Sequence, residues 1–185
     1  MSDDLLRIIE FISEAEKIKS VLRSGNTSLG RKESTAEHSW RLSLLIMFLS
    51  DYLPELDALK ALQLSIIHDL GELDEGDIPA VVETDQASKF LIEEAALIRL
   101  SNLLPDDKRT WLYNLWLEYE EGKTYEARVV KALDKIETIM QHNQVDNGKD
   151  FDYTFNLDYG KKHLTDDQVI IELRKIIDEM TKENI

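Results

Sequence analysis

The sequence predicts an all-α fold, a single-domain bundle of about seven helices, and three observations predict it. Only seven glycines and three prolines occur in 185 residues, too few for the many turns of an all-β chain. Apolar residues recur at spacings of three and four rather than two, the period of one helix face. No repeat, low-complexity tract or linker divides the chain, so one domain over residues 1–185 with one core is expected.

The elements follow in order. Leu5, Ile8, Ile9, Ile12, Ala15 and Ile18 form the first apolar stripe. Residues 23–31, rich in Gly, Ser and Asn, read as a loop. Ser34 followed by Glu37 is a capping box, each side chain accepting from the other's backbone N–H. The helix it starts carries Trp40, Leu44, Leu45, Met47 and Phe48 and stops near Pro54. Residues 56–70 are strongly apolar, and Gly71 serves as their C-terminal stop signal. Residues 72–83, with Gly76 and Pro79, read as a loop, and helices are expected over 85–103, 107–119, 124–143 and 165–182. The stretch 144–162 mixes Asn, Gly, Asp and aromatics and reads as an ordered loop.

Composition narrows the function. Apolar residues make up 43% and charged residues 32%, the balance of an ordinary globular chain. With no cysteine, thiolate chemistry is excluded, and a metal would have to be held by His and carboxylates. The net charge of −15 repels phosphate polymers and anionic lipid, so neither nucleic-acid nor membrane binding is expected. A small phosphorylated substrate would need a local positive charge, which a divalent cation can supply. The acidic, amphipathic start carries no leader pattern, and no apolar run approaches the roughly 20 residues of a membrane span. A cytoplasmic location is therefore expected.

Only four histidines occur: His38, His68, His142 and His163. His68 is followed directly by Asp69 near a helix end, and His38 lies in the first turn of a long helix. Asp134 interrupts the apolar side of the 124–143 helix, beside Val130 and Leu133. A carboxylate there destabilises the fold unless it is paired or bound to a cation. Spacing alone leaves open the alternative of a core histidine with Asp69 as a surface cap.

Three blocks carry a resemblance: Glu33-Ser34-Thr35-Ala36-Glu37-His38-Ser39-Trp40, the run from His68-Asp69-Leu70-Gly71-Glu72 to Asp77-Ile78-Pro79, and Glu126-Ala127-Arg128 through Leu133-Asp134-Lys135. Together they resemble the signature blocks of the HD-domain metal-dependent phosphohydrolases, more narrowly the 5′-deoxynucleotidase-like branch, over roughly residues 5–145. The C-terminal loop and helix, 146–185, lie outside it.

The resemblance implies that His38, His68, Asp69 and Asp134 bind one divalent metal: manganese, cobalt, iron, zinc or magnesium. Relatives with two metals add histidines between the His-Asp pair and the last Asp, whereas residues 70–133 contain none. It also implies catalytic roles for Glu72 and Asp77. A metal activates water and neutralises phosphoryl oxygens, but a base must still orient that water and take its proton. Glu72 is assigned that role, with Asp77 placing water or substrate. Arg23 matches an arginine that reaches the substrate phosphate, where a guanidinium forks onto two oxygens; an ordinary surface arginine is the equal alternative. Some relatives have an aromatic residue directly after this arginine; here Ser24 follows.

The leading expectation is a phosphomonoesterase converting deoxyribonucleoside 5′-monophosphates to nucleoside and phosphate. Alternatives are a phosphohydrolase of another ester or of nucleotide polyphosphates, and a non-catalytic metal- or nucleotide-binding module. The stripe Trp111, Tyr113, Leu115, Trp116 and Tyr119 reads as core or as the interface of a homodimer. His142 and His163 read as surface residues. Residues 146–152 have no glycine at the sixth position counted from Asp146 or Asp150 and are not read as a calcium loop.

Overall fold

Most helix starts fall where the sequence supplies a capping side chain. In the computed structural model, which describes residues 1–78, 85–149 and 151–185, the α-helices among the described residues are α1 (Ser2–Ala15), α2 (Thr35–Leu49), α3 (Ala58–Ile67), α4 (Gln86–Ser101), α5 (Asp106–Glu121), α6 (Tyr125–Asn143), α7 (Tyr153–Asp158) and α8 (Gln168–Lys182). The fold is all-α, as the periodicity indicates. Ser34 and Glu37 form both halves of the capping box that starts α2. Asp57, Asp85 and Thr124 cap α3, α4 and α6 by accepting from backbone N–H groups. Gly122, at φ 61°, ends α5 in the left-handed conformation.

Three local readings change. Residues 23–31 do not form a plain loop. Strands β1 (Leu22–Asn26) and β2 (Lys32–Ser34) pair antiparallel, with a register irregularity between Leu22 and Asn26. β1 docks on α6, where Gln141 Nε2 donates to Asn26 O at 2.5 Å. Tertiary docking, not strand propensity, builds the hairpin, so period-two patterning could not reveal it. The expected loop 144–162 contains the short helix α7, capped by Asp152. Gly71 does not stop a helix in a left-handed turn, because its φ is not positive. It lies in a 3₁₀ turn, Leu70–Leu73, where an added Cβ would fall 2.7 Å from Glu93 Cβ and 3.0 Å from the Glu93 carbonyl oxygen. The close approach of α4 demands glycine here. The 79–83 part of the expected loop, including Pro79, lies outside the described residues.

α6 runs through the middle of the fold, packed on α2, α3, α5 and α8. Leu42, Ile46, Leu64, Leu97, Trp116, Leu133, Ile136 and Ile170 are all fully buried and form part of a continuous core drawn from six helices. This core holds α2, α3 and α6 together, and the residues His38, His68-Asp69 and Asp134 ride on those elements. α1 has no buried residue. Between it and α2, α3 and α5 lies an open cavity of about 600 Å³, lined by Ile12, Trp40, Ile66 and Trp111 among others. Those four side chains remain 48–64% exposed, an apolar face left uncovered by the described residues. No helix among the described residues is long and apolar enough to cross a membrane.

Candidate metal centre

The capping box sets His38 one turn into α2, and the core seats that turn against α6. His38 is fully buried. Its Nδ1 hydrogen-bonds to Glu137 Oε2, and its Nε2 lies 3.1 Å from Asp134 Oδ1 and 4.0 Å from Asp69 Oδ2. His68 follows the last turn of α3, with Nδ1 donating to Ser65 O at 2.9 Å. A carbonyl oxygen can only accept, so Nδ1 carries the hydrogen and the lone pair of a neutral His68 is on Nε2.

That Nε2 is buried and has no hydrogen-bond partner among the described residues. It lies 3.1 Å from Asp69 Oδ2, but without hydrogen-bond geometry. An orphaned buried nitrogen is costly unless something else occupies its lone pair. Ligand atoms of His38, His68 and Asp69 lie within 4.8 Å of one another, and Asp134 joins them through His38. Two imidazoles and two carboxylates suit a hard or borderline divalent cation, so the residues present fit a metal.

Second contacts orient these groups. Tyr119 OH donates to Asp134 Oδ2 at 2.9 Å, and Lys135 Nζ lies 2.8 Å from the same oxygen. Oδ2 is thereby saturated, and Oδ1 faces His38. Tyr119 thus belongs to the site and not only to packing; its position in the buried stripe of α5 (Leu112, Leu115, Trp116, Tyr119) gave no sign of this.

The remaining candidates surround the cluster. Arg23 on β1 approaches Asp69 Oδ2 at 3.5 Å, Thr138 Oγ1 at 3.1 Å and Glu33 Oε2 at 3.6 Å. Glu72 is buried in the 3₁₀ turn and accepts from Thr35 Oγ1 at 3.3 Å. Asp77 is half-buried without a hydrogen bond of its own among the described residues, and its charge acts on both Arg23 and Glu72. Asp74 is exposed and paired with Arg99, and Arg31 is paired with Glu37, so neither enters the site. His142 and His163 lie outside the cluster, but both are half-buried, not on the surface as expected. His142 packs on Phe151 and Nδ1 contacts Asn156 Oδ1 at 3.1 Å. Burial, reinforced by Lys135 and Lys131, holds His163 down at about 4.

Crowded carboxylates set the electrostatics. Burial raises the Glu72 carboxyl to about 9, and the Asp69 and Asp77 charges add to the effect. Burial opposes ionisation of Asp69 and Asp134 as well. His68, His38 and Arg23 outweigh it at Asp69, and Lys135 and His38 at Asp134, so both stay below the usual range. Burial and the Arg23 charge push His38 down, but Glu137 and Asp134 prevail and hold it at about 9. A cation bound here must displace that proton.

The HD domain family matches residues 15–173. The chain is 32% identical to the human 5′-deoxynucleotidase HDDC2 over 142 residues, 76% of this chain and 69% of the relative. To the Xenopus laevis 5′-deoxynucleotidase HDDC2 it is 33% identical over 136 residues, 72% of this chain and 67% of the relative. A crystal structure described as a predicted metal-dependent phosphohydrolase from Magnetospirillum magnetotacticum superposes with a TM-score of 0.81 at 26% identity, covering 98% of this chain and 97% of that one. The chain therefore belongs to the HD domain family and is a metal-dependent phosphohydrolase. Within the family it sides with the 5′-deoxynucleotidase-like branch.

Proposed function

We propose that this chain hydrolyses the phosphomonoester of small nucleotides, with deoxyribonucleoside 5′-monophosphates as the preferred class, releasing nucleoside and inorganic phosphate. The observation that carries the reading is the orphaned His68 Nε2 beside His38, Asp69 and Asp134, with Arg23 and Glu72 bordering the same cluster. The names of the 5′-deoxynucleotidase relatives support the substrate class. His38, His68, Asp69 and Asp134 would hold one divalent ion, which supplies charge neutralisation and water activation when bound.

Arg23 presents its guanidinium to the phosphate oxygens. Glu72 takes the proton of the attacking water; it must be ionised for that step, and the charge of a cation bound beside it would favour the carboxylate over the protonated form that burial favours in the metal-free protein. Asp77, next to both in its electrostatic influence, positions water or substrate. The site belongs to one domain over 1–185, and a cytoplasmic location goes with the reading. A panel of deoxy- and ribonucleoside monophosphates, assayed with manganese, cobalt, zinc and magnesium, tests it. Turnover of the deoxy compounds, abolished in Asp134→Ala, is expected; release of phosphate only from polyphosphates or non-nucleotide esters would overturn it.

We further propose that the apolar face of Ile12, Trp40, Ile66 and Trp111 receives a second copy of this chain. A tryptophan that is 64% exposed offers on the order of 150 Å². Phe48, Tyr52 and Leu59 are also 67–70% exposed on α2, the turn after it and α3, and large exposed apolar side chains gathered on one part of a surface mark an interaction site. Light scattering should give a dimer, and the pair Trp40→Glu and Ile66→Glu a monomer; a monomeric wild type at micromolar concentration would refute the proposal.

A further inference from the structure

The signature blocks do not include Glu137, yet it contacts the most deeply buried histidine of the centre. Both residues are fully buried. Glu137 Oε2 meets His38 Nδ1, and a carboxylate oxygen accepts, so Nδ1 carries the hydrogen. A neutral His38 in that tautomer has one lone pair, on Nε2, the atom that faces Asp134 and Asp69.

Glu137 is itself held in place. Its Oε1 lies 3.3 Å from Arg41 Nε, at ion-pair distance though without hydrogen-bond geometry. Arg41 Nη1 donates to Gln141 Oε1, and Gln141 Nε2 donates to Asn26 O at the end of β1. One polar chain therefore runs from the hairpin that carries Arg23, through Gln141, Arg41 and Glu137, to His38. Keeping a carboxylate here has a cost: it sits near a second buried carboxylate, Glu33, and burial first, then the Glu137 charge, raise the Glu33 pKa. A glutamine would accept the same hydrogen bond without that repulsion.

We infer that Glu137 is a positioning residue for the metal centre, its carboxylate holding the hydrogen of His38 on Nδ1 and so keeping Nε2 for a divalent cation. The inference rests on the metal-ligand reading above. Carboxylates in this relation to a ligating histidine orient the ring and raise its basicity, and their loss typically costs about 10–100-fold in metal affinity.

The test is a manganese titration of the metal-stripped full chain, followed by the electron paramagnetic resonance of the free ion. Glu137→Gln should raise the manganese Kd by about 10–100-fold, with the circular dichroism of the stripped protein unchanged and kcat recovered at saturating manganese. Nitrogen-15 histidine resonances of the wild type, with and without zinc, provide a second measurement that needs no variant. They should show the hydrogen of His38 on Nδ1 in the zinc-loaded protein. Wild-type affinity in Glu137→Gln, or a loaded His38 protonated on Nε2, would overturn the inference alone. Absence of manganese binding by the wild type, or undiminished binding by His38→Ala, would overturn the metal reading and the inference together.

Discussion

Replacing Gly71 by alanine probes how tightly the turn that carries Glu72 is held. The new Cβ would meet Glu93 Cβ at 2.7 Å, its Cα at 3.1 Å and its carbonyl oxygen at 3.0 Å, where ordinary contact begins at 3.4 Å. The turn or α4 must therefore give way by about 0.7 Å, and the obstructing atoms are backbone and Cβ, which no rotamer change removes. Gly71 has no positive φ, so the cost is steric alone. Overpacking of this kind costs about 1–3 kcal/mol. The rigid obstruction places this case near 2 kcal/mol or above, and a chain of this size loses about 2–4 °C in Tm per kcal/mol. Gly71→Ala should thus unfold about 4–8 °C below the wild type by circular dichroism of the metal-free protein. Adding Glu93→Ala should not restore it, because alanine keeps the offending Cβ. Turnover should fall as well, since Asp69 and Glu72 flank the displaced residue. A variant melting within about 1 °C of the wild type, or one rescued by Glu93→Ala, would show that the close approach is not what requires glycine.

Two further outcomes follow from the same geometry. Tyr119→Phe removes the 2.9 Å hydrogen bond to Asp134 Oδ2 but leaves Lys135 at 2.8 Å; about 1.5 kcal/mol should be lost, raising the manganese Kd by roughly tenfold in the same titration, and an unchanged Kd would deny Tyr119 its orienting role. In the metal-free protein His38 is raised from 6.5 to about 9, and Glu72 from 4.5 to about 9. A raised folded-state pKa stabilises at low pH, and that stability is lost as pH rises through the folded value. Tm in a chelator should therefore decline between pH 6.5 and 9, and a rise in Tm attributable to the centre across that window would contradict the assigned shifts.

How much was legible follows from what each residue does. Helix α6 carries a stripe of Ala127, Val130, Asp134, Glu137 and Gln141 at spacings of three and four, all buried. A lone carboxylate on an apolar face marks Asp134 in the sequence, and Glu137, one turn later on the same face, carries the same signal. Gly71 reads locally as a helix stop, because a glycine follows an apolar run, while the residue that excludes a Cβ there, Glu93 on α4, lies some twenty residues further on. The hairpin had no local signal, since β1 contains Ser, Gly and Asn and is held by Gln141 from more than a hundred residues away.

The sequence by itself determined the helical class, the capping box at Ser34 and Glu37, and the kinds of ligand on offer, because these depend on local spacing and side-chain chemistry. Only the tertiary structure decided which acceptor the nitrogens of His38 and His68 face: Glu137 and Ser65 on the Nδ1 side, with Asp134 beyond His38 Nε2 and, among the described residues, no hydrogen-bond partner at His68 Nε2. The physical reason is that a tautomer, an orphaned lone pair and a saturated carboxylate oxygen are properties of pairs of groups, and the pairs here are formed by residues up to a hundred positions apart.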